Sequence, residues 1–417
     1  VSVFTSKEKR VIGILSTGTF LEYFDFYLYM HFATVLNRMF FATGDEFSTY
    51  LMTSFAYCSS YLFRPIGALV FGHIGDKYGR KYVIRITMTM MGLSCIGIGL
   101  LPTYESIGIW ASIMITLFRA MQGISTMGEI VGAEIYLSEY LKGRSIFSAV
   151  AIVSFFSYLA CSVALCGIKL VLLDYFDFRL LFIFGISIFM VGYFARRNLS
   201  ETREYIQSAK SKVIHDPISI KTYIYAAILE SVIPIGGFLS IIGMHNIYRS
   251  QYGYDDSMIV NVSMLGVSGA IIYTFSLIFL TLKFNPYKLA LIRNLVAIFL
   301  MCVAPFLFNT YPSLEITMCI HFTIFVVITS YNPMNVVVYR CIPTLKRFKF
   351  VSLVFSGSRA VIALISSFGL IVLQPYLGNY VYSAFALPFL IPSIFAIKHF
   401  RDLDSKNPNG LLRHYND

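Results

Sequence analysis

Long apolar runs separated by short polar connectors recur about twelve times along the chain. Each is close to the ~20 residues that a helix needs to cross a hydrocarbon core of roughly 30 Å. The runs fall at 11–36, 47–71, 82–101, 107–135, 146–172 and 178–195, then at 220–248, 257–282, 287–308, 314–339, 348–374 and 379–399. Arg64, Arg119 and Arg359 interrupt otherwise clean stretches. The pattern predicts an all-α membrane protein with twelve transmembrane helices.

The connectors give the runs a direction. Those after even-numbered runs hold Lys77, Arg80 and Lys81, then Lys142 and Arg144, then Arg196, Arg197, Arg203, Lys210 and Lys212. Later ones on the same side hold Lys283, Lys288, Lys346, Arg347 and Lys349. The opposite connectors hold Asp45, Glu46, Glu105, Asp174, Asp177, Asp255, Asp256 and Glu315. Cytoplasmic loops concentrate lysine and arginine, so both termini and the connector 196–219 are expected in the cytoplasm. That connector divides the runs six and six. The expected organisation is a first half at 1–195, a linker at 196–219, a second half at 220–399 and a tail at 400–417. Two such halves suit a transporter built from repeats. The repeat is weak: aligning Arg85 with Arg293 sets Arg80 against Lys288, but Phe284 against Asp76 and Tyr287 against Gly79.

Composition agrees. The chain is 57% hydrophobic and 13% charged, with a mean hydropathy of +0.70, whereas a soluble domain carries about 25% charged residues. The net charge of +11 is dispersed among connectors, so no nucleic-acid partner is expected. Cys58, Cys95, Cys161, Cys166, Cys302, Cys319 and Cys341 show no metal spacing, which points to reduced thiols and no metal site. The basic start Lys7-Glu8-Lys9-Arg10 resembles a signal n-region, but Glu22 and Asp25 follow without a cleavage motif. The first run reads as a retained helix.

Charges inside the runs carry the candidate chemistry. In "FLEYFDFYLY", Glu22 and Asp25 lie three residues apart and share a helix face with Phe26 and Tyr29. Arg119 is near the middle of the fourth run and Glu129 toward its end. Intramembrane ionisable groups usually face a bundle interior or a watery cavity. Glu22, Asp25, Arg119, Glu129 and Glu230 are therefore candidates for proton coupling or a substrate cavity, against the alternative of a fixed structural ion pair. Arg359 is a possible partner of Glu230. The rings of Tyr23, Phe24, Phe26, Tyr27 and Tyr29 can attract an ammonium group, although rings in so aromatic a chain also serve packing. His31 is left outside the site.

The sharpest motif is "GHIGDKYGRK", Gly72 to Lys81. Its glycines permit close backbone approach, and Asp76 suits a helix N-terminus. The pattern G-x-x-x-D-x-x-G-R-K, with "FRPIGALVFGHIGDKYGRK" and "LFRAMQGISTMGEIVGAE", resembles the major facilitator superfamily. Together with "EYFDFYLY" it resembles the metabolite:proton symporter branch, and bacterial proline/betaine transporters in particular, across roughly the first 200 residues. The resemblance implies that the first, fourth, seventh and tenth helices line a cavity. It implies gating by Gly72, Asp76, Gly79, Arg80 and Lys81, with Glu139 as a partner of the motif and Arg144 in the acid-then-basic pattern that follows. Antiporter relatives carry Gly-Pro in the fifth helix. "FSAVAIVSFFSYLACSVALCG" has none, which favours symport over drug export.

The second half departs from the family pattern. Arg340 stands where relatives show an acid, and Phe178 where many have tryptophan. The chain ends without the coiled-coil tail of some osmosensing relatives, so regulation through such a tail is not expected. The expectation is a monomeric, cofactor-free importer of a zwitterion such as proline or betaine, or of a small carboxylate, with protons, in a bacterial inner membrane. The alternative is a transporter-like solute sensor that has lost translocation. No HExxH or GxSxG motif in a convincing context supports an enzyme.

Overall fold

In lipid every backbone N–H and C=O must be satisfied within the chain, which selects helices for apolar runs of this length. The computed structural model describes residues 3–41, 46–126, 130–196, 200–211, 217–407 and 410–415. Before the linker it has α1 (Ser6–Phe40), α2 (Glu46–Tyr78), α3 (Arg80–Leu100), α4 (Tyr104–Ile107), α5 (Ile109–Thr126), α6 (Gly132–Tyr140), α7 (Ser145–Leu172) and α8 (Arg179–Arg196). The linker forms α9 (Arg203–Ser211). Beyond it come α10 (Ile220–Phe238), α11 (Met244–Tyr252), α12 (Asp256–Lys283), α13 (Pro286–Thr310), α14 (Leu314–Val327), α15 (Met334–Arg340), α16 (Thr344–Leu377) and α17 (Val381–Lys406).

Local chemistry sets several of the starts. Thr5 and Glu8 form a reciprocal capping box ahead of α1. Ser219, Asp255 and Ser313 cap α10, α12 and α14 with side-chain oxygens. Asn285 does so for α13, which has Pro286 in its first turn. Among the described residues, seven helical stretches are continuous, apolar and long enough to cross a membrane. The other expected spans fall on α1, α2 and α8, on α5 and α6 for the fourth run, and on α14 and α15 for the tenth, which is interrupted between them. Outward-facing Ile272, Phe299 and Phe306 are well exposed, a surface suited to lipid. The protein is a multi-pass membrane protein.

α1 packs on α2, α7 and α8, and α3 on α5 and α8; beyond the linker α10 packs on α16 and α17, and α13 on α14 and α17. The two groups meet chiefly through α2 against α16 and α7 against α12. Small residues permit the first contact. A Cβ on Gly72 would stand 3.0 Å from the Lys349 Cα, and one on Gly75 2.8 Å from the Phe348 ring.

The break between α14 and α15 is satisfied by side chains. Arg293 donates to the carbonyls of Val327 and Ile328 at 2.6 and 2.7 Å, closing the C-terminal end of α14. The Tyr158 hydroxyl donates to the Thr329 carbonyl at 2.7 Å, and the Asn332 side chain accepts the Met334 N–H at 3.1 Å. Between α10 and α11 the chain widens into a π-helical turn, Leu239–Gly243. Four residues after Glu230, Pro234 lacks the N–H that would bond the 230 carbonyl. Non-helical backbone at this depth occurs where it lines a cavity or is buried in protein, and such helix irregularities cluster at functional sites.

Candidate functional site

The three-residue spacing of Glu22 and Asp25 leaves them about 60° apart on a 3.6-residue helix. Packing directs them into different surroundings. Asp25 is buried between α1, α3 and α5, where the Gln122 amide donates to it at 2.6 Å and the Cys95 thiol at 3.3 Å. Gln122 accepts from Arg119 at 2.6 Å, and the Arg119 guanidinium lies 3.6 Å from the Tyr29 ring centroid. Asp25 and Arg119 are thus joined through Gln122, and the Tyr29 ring covers the guanidinium.

Glu22 instead lines a narrow central cavity of about 80 Å³ with Tyr23, Tyr27, Tyr61, Arg64 and Arg359. The Arg64 guanidinium stacks 4.4 Å from the Tyr61 ring and 5.2 Å from that of Phe26. Its Nε is buried without a hydrogen-bond partner among the described residues. From the opposite side Arg359 enters, paired with Glu230 at 3.1 Å and 3.3 Å from the Phe355 ring centroid. The wall is completed by Ile130, Tyr158, Pro234, Gly237, Phe325 and Thr329. The first, fourth, seventh and tenth runs line it as expected, the fourth through Ile130. The second, fifth and eleventh also contribute, through Arg64, Tyr158 and Arg359.

The expected single space around Glu22, Asp25, Arg119 and Glu230 is therefore two neighbouring sites, because a helix wedged between two grooves sends adjacent side chains into each. Glu129 lies outside the described residues. Arg64 looked like an interruption of an apolar run, yet it is a cavity cation. Glu134 also escaped the sequence reading; its carboxylate takes the Tyr339 hydroxyl at 2.6 Å. The available signal was a further acid inside the fourth run.

The loop motif meets α16 and the linker. Asp76 accepts the main-chain N–H groups of Phe348 and Lys349 at 3.2 and 3.0 Å, in the early turns of α16, where a helix dipole favours an anion. Its own carbonyl accepts the Tyr205 hydroxyl at 3.2 Å. Gly79 takes φ +99°, and a Cβ there would collide with the Glu201 carboxylate, which accepts the Lys81 N–H at 3.2 Å. The Arg80 side chain lies outside the described residues.

Glu139 accepts Arg347 at 3.1 Å and the Thr202 hydroxyl at 2.7 Å. Arg347 also holds Glu204 of α9 at 2.9 Å, and Glu204 takes Arg340 and the Thr344 hydroxyl as well. Burial pushes the Glu204 carboxyl up, but Arg347 and then Arg340 outweigh it and hold it below its ordinary value. Arg340, a departure from the family pattern, thus pairs with the linker. Arg144 donates to the Leu282 carbonyl at 3.1 Å, near the C-terminal end of α12, and stacks 4.6 Å from Tyr415.

A family model described as Major Facilitator Superfamily matches residues 15–367. A putative proline/betaine transporter of Staphylococcus aureus (strain COL) is 34% identical over 225 residues, 52% of this chain and 48% of the relative. The proline/betaine transporter of Escherichia coli (strain K12) is 38% identical over 138 residues, 33% of this chain and 28% of the relative. The chain thus spans about half the length of the curated relatives it matches, or less. The MFS proton:xylose symporter XylE, solved with 6-bromo-6-deoxy-D-glucose, superposes with a TM-score of 0.77 at 12% identity. The match covers 92% of this chain and 94% of that one, and is a likeness of fold.

Proposed function

The chain belongs to the major facilitator superfamily, and from that premise we propose that it imports a small zwitterion or carboxylate with protons by alternating access. The observation that carries the reading is the central cavity, lined by the guanidinium groups of Arg64 and Arg359, the carboxylate of Glu22 and tyrosine faces between them, with Glu230 paired to Arg359 behind the wall. Arg64 suits the carboxylate of a zwitterion such as proline or betaine, and Tyr23, Tyr27 and Tyr61 suit its ammonium. The names of the relatives agree with this substrate class.

Asp25, reached by Arg119 through Gln122, is the coupling acid beside the cavity. A carboxylate in a dry site, with a cation one residue removed, can trade a proton for a change in that link. Asp76, Glu139 and Arg347 hold the linker-side gate shut in this state. The linker side is the cytoplasmic side of a bacterial inner membrane, in keeping with the lysine and arginine distribution, and both termini lie there. The halves that rock about the cavity are 1–195 and 220–399.

The test is uptake of labelled proline and glycine betaine into proteoliposomes, with and without an inwardly directed proton gradient. Gradient-driven accumulation supports the reading. Solute binding without counterflow would instead describe a sensor and would overturn it.

A further inference from the structure

Glu134 is a buried acid that the proposed coupling site does not use. It stands on α6 and is 9% exposed, while its partner Tyr339, on α15 in the other half, is 1% exposed. Their oxygens are 2.6 Å apart. The same phenol lies 3.5 Å from Glu230, and Glu230 holds Arg359 at 3.1 Å. The charged and titratable groups within electrostatic reach of Glu134 are Tyr23 of α1, Glu230 of α10, Tyr331 ahead of α15, Tyr339 of α15 and Arg359 of α16.

With both acids ionised, this cluster sets two negative charges against one guanidinium. The phenol has a single hydrogen to donate, so it satisfies one carboxylate at a time. Surplus charge in so dry a site is costly, and one proton removes it. Glu230 has a guanidinium bonded to it, whereas Glu134 has a phenol. Neutralising Glu134 therefore leaves every charge in the cluster paired. The 2.6 Å contact also serves with a protonated Glu134 donating to the phenol oxygen, which turns the phenol hydrogen toward Glu230.

We infer that Glu134 binds a transported proton in this linker-closed state and that Tyr339 makes its release depend on opening. The inference rests on the proton-coupled reading above and adds a second proton-binding group to it. In the closed state Glu134 donates its hydrogen to Tyr339, and Tyr339 donates its own to Glu230. When the second half withdraws, the Glu134–Tyr339 bond breaks and water reaches Glu134. The carboxyl O–H bond then breaks, its electron pair stays on the carboxylate, and water takes the proton. Tyr339 keeps its phenolic hydrogen throughout.

Infrared difference spectra of the purified chain in proteoliposomes, recorded across a pH titration, read the group directly. The wild type is expected to show a protonated-carboxyl band at neutral pH that Glu134→Gln removes and Tyr339→Phe retains with an altered titration. Persistence of the full band in Glu134→Gln overturns the inference. If that variant does not fold, Glu134→Asp serves, and an unshifted band in it overturns the inference likewise. In proline uptake, the proton-driven accumulation ratio is expected to collapse toward unity in Glu134→Gln. Wild-type-like accumulation in that variant overturns this inference alone and leaves the proton-coupled reading standing. A wild type that ignores the gradient defeats that reading and, with it, the transported role of the proton.

Discussion

The Glu139 carboxylate meets the Arg347 guanidinium at 3.1 Å, with both side chains almost fully buried and 208 positions apart in sequence. This contact ties the end of α6 to the first turn of α16 and so joins helices that precede and follow the linker. Asp76 of α2, bonded to main-chain N–H groups in the early turns of that same α16, makes a second tie close by.

Removing one partner of a buried pair costs about 3–5 kcal/mol. Arg347→Ala is therefore expected to shift the population away from the linker-closed state. Spin labels at exposed Lys142 and Lys398, one in each half, are expected to report a longer linker-side distance in the variant. An unchanged distance distribution would remove this pair from the gate.

Glu204 makes part of the same network sensitive to pH. Its carboxyl is held below the ordinary 4.5 of a glutamate. Its contribution to stability is thus fully present above about pH 4.5 and is lost as pH falls through the lowered value. Thermal unfolding of wild type and Glu204→Gln is expected to differ at neutral pH and to converge in more acidic buffer. A difference that grows on acidification would contradict the ion-pair account.

Gly79→Ala forces a side chain into a positive-φ extended conformation (φ 99°, ψ 163°) that only glycine adopts readily, beside Glu201, a cost of about 1–3 kcal/mol from the backbone alone. Gly13→Ala is the control, since a Cβ there meets nothing within 4 Å. A lowered melting temperature is expected for the first variant and not for the second.

Asp25→Asn keeps the shape of the side chain and a group that Gln122 can bond, since either amide can reverse. The variant is expected to fold and to lose accumulation of proline against its gradient. Retained accumulation would take Asp25 out of the coupling role.

The positions of the spans were legible because a run of about 20 apolar residues is an unambiguous demand of the bilayer. The break in the tenth span was not, since 328–333 lies inside a run apolar enough to read as one helix. Loop chemistry was legible at Asp76 and Gly79, where motif and geometry coincide. The partners of Glu139 and Glu204 were not, because pairs separated by more than a hundred residues leave no periodic trace. The three-residue spacing announced that Glu22 and Asp25 were neighbours on a face. It did not announce that a groove divides that face, sending Glu22 toward Arg64 and Asp25 toward Gln122.

The most direct test of the account is the movement of protons with solute. Proteoliposomes containing the purified chain and an internal pH indicator would receive external proline or glycine betaine without an imposed gradient. The account predicts internal acidification in step with solute entry, and its loss in Asp25→Asn. Solute entry with no change in internal pH would contradict it.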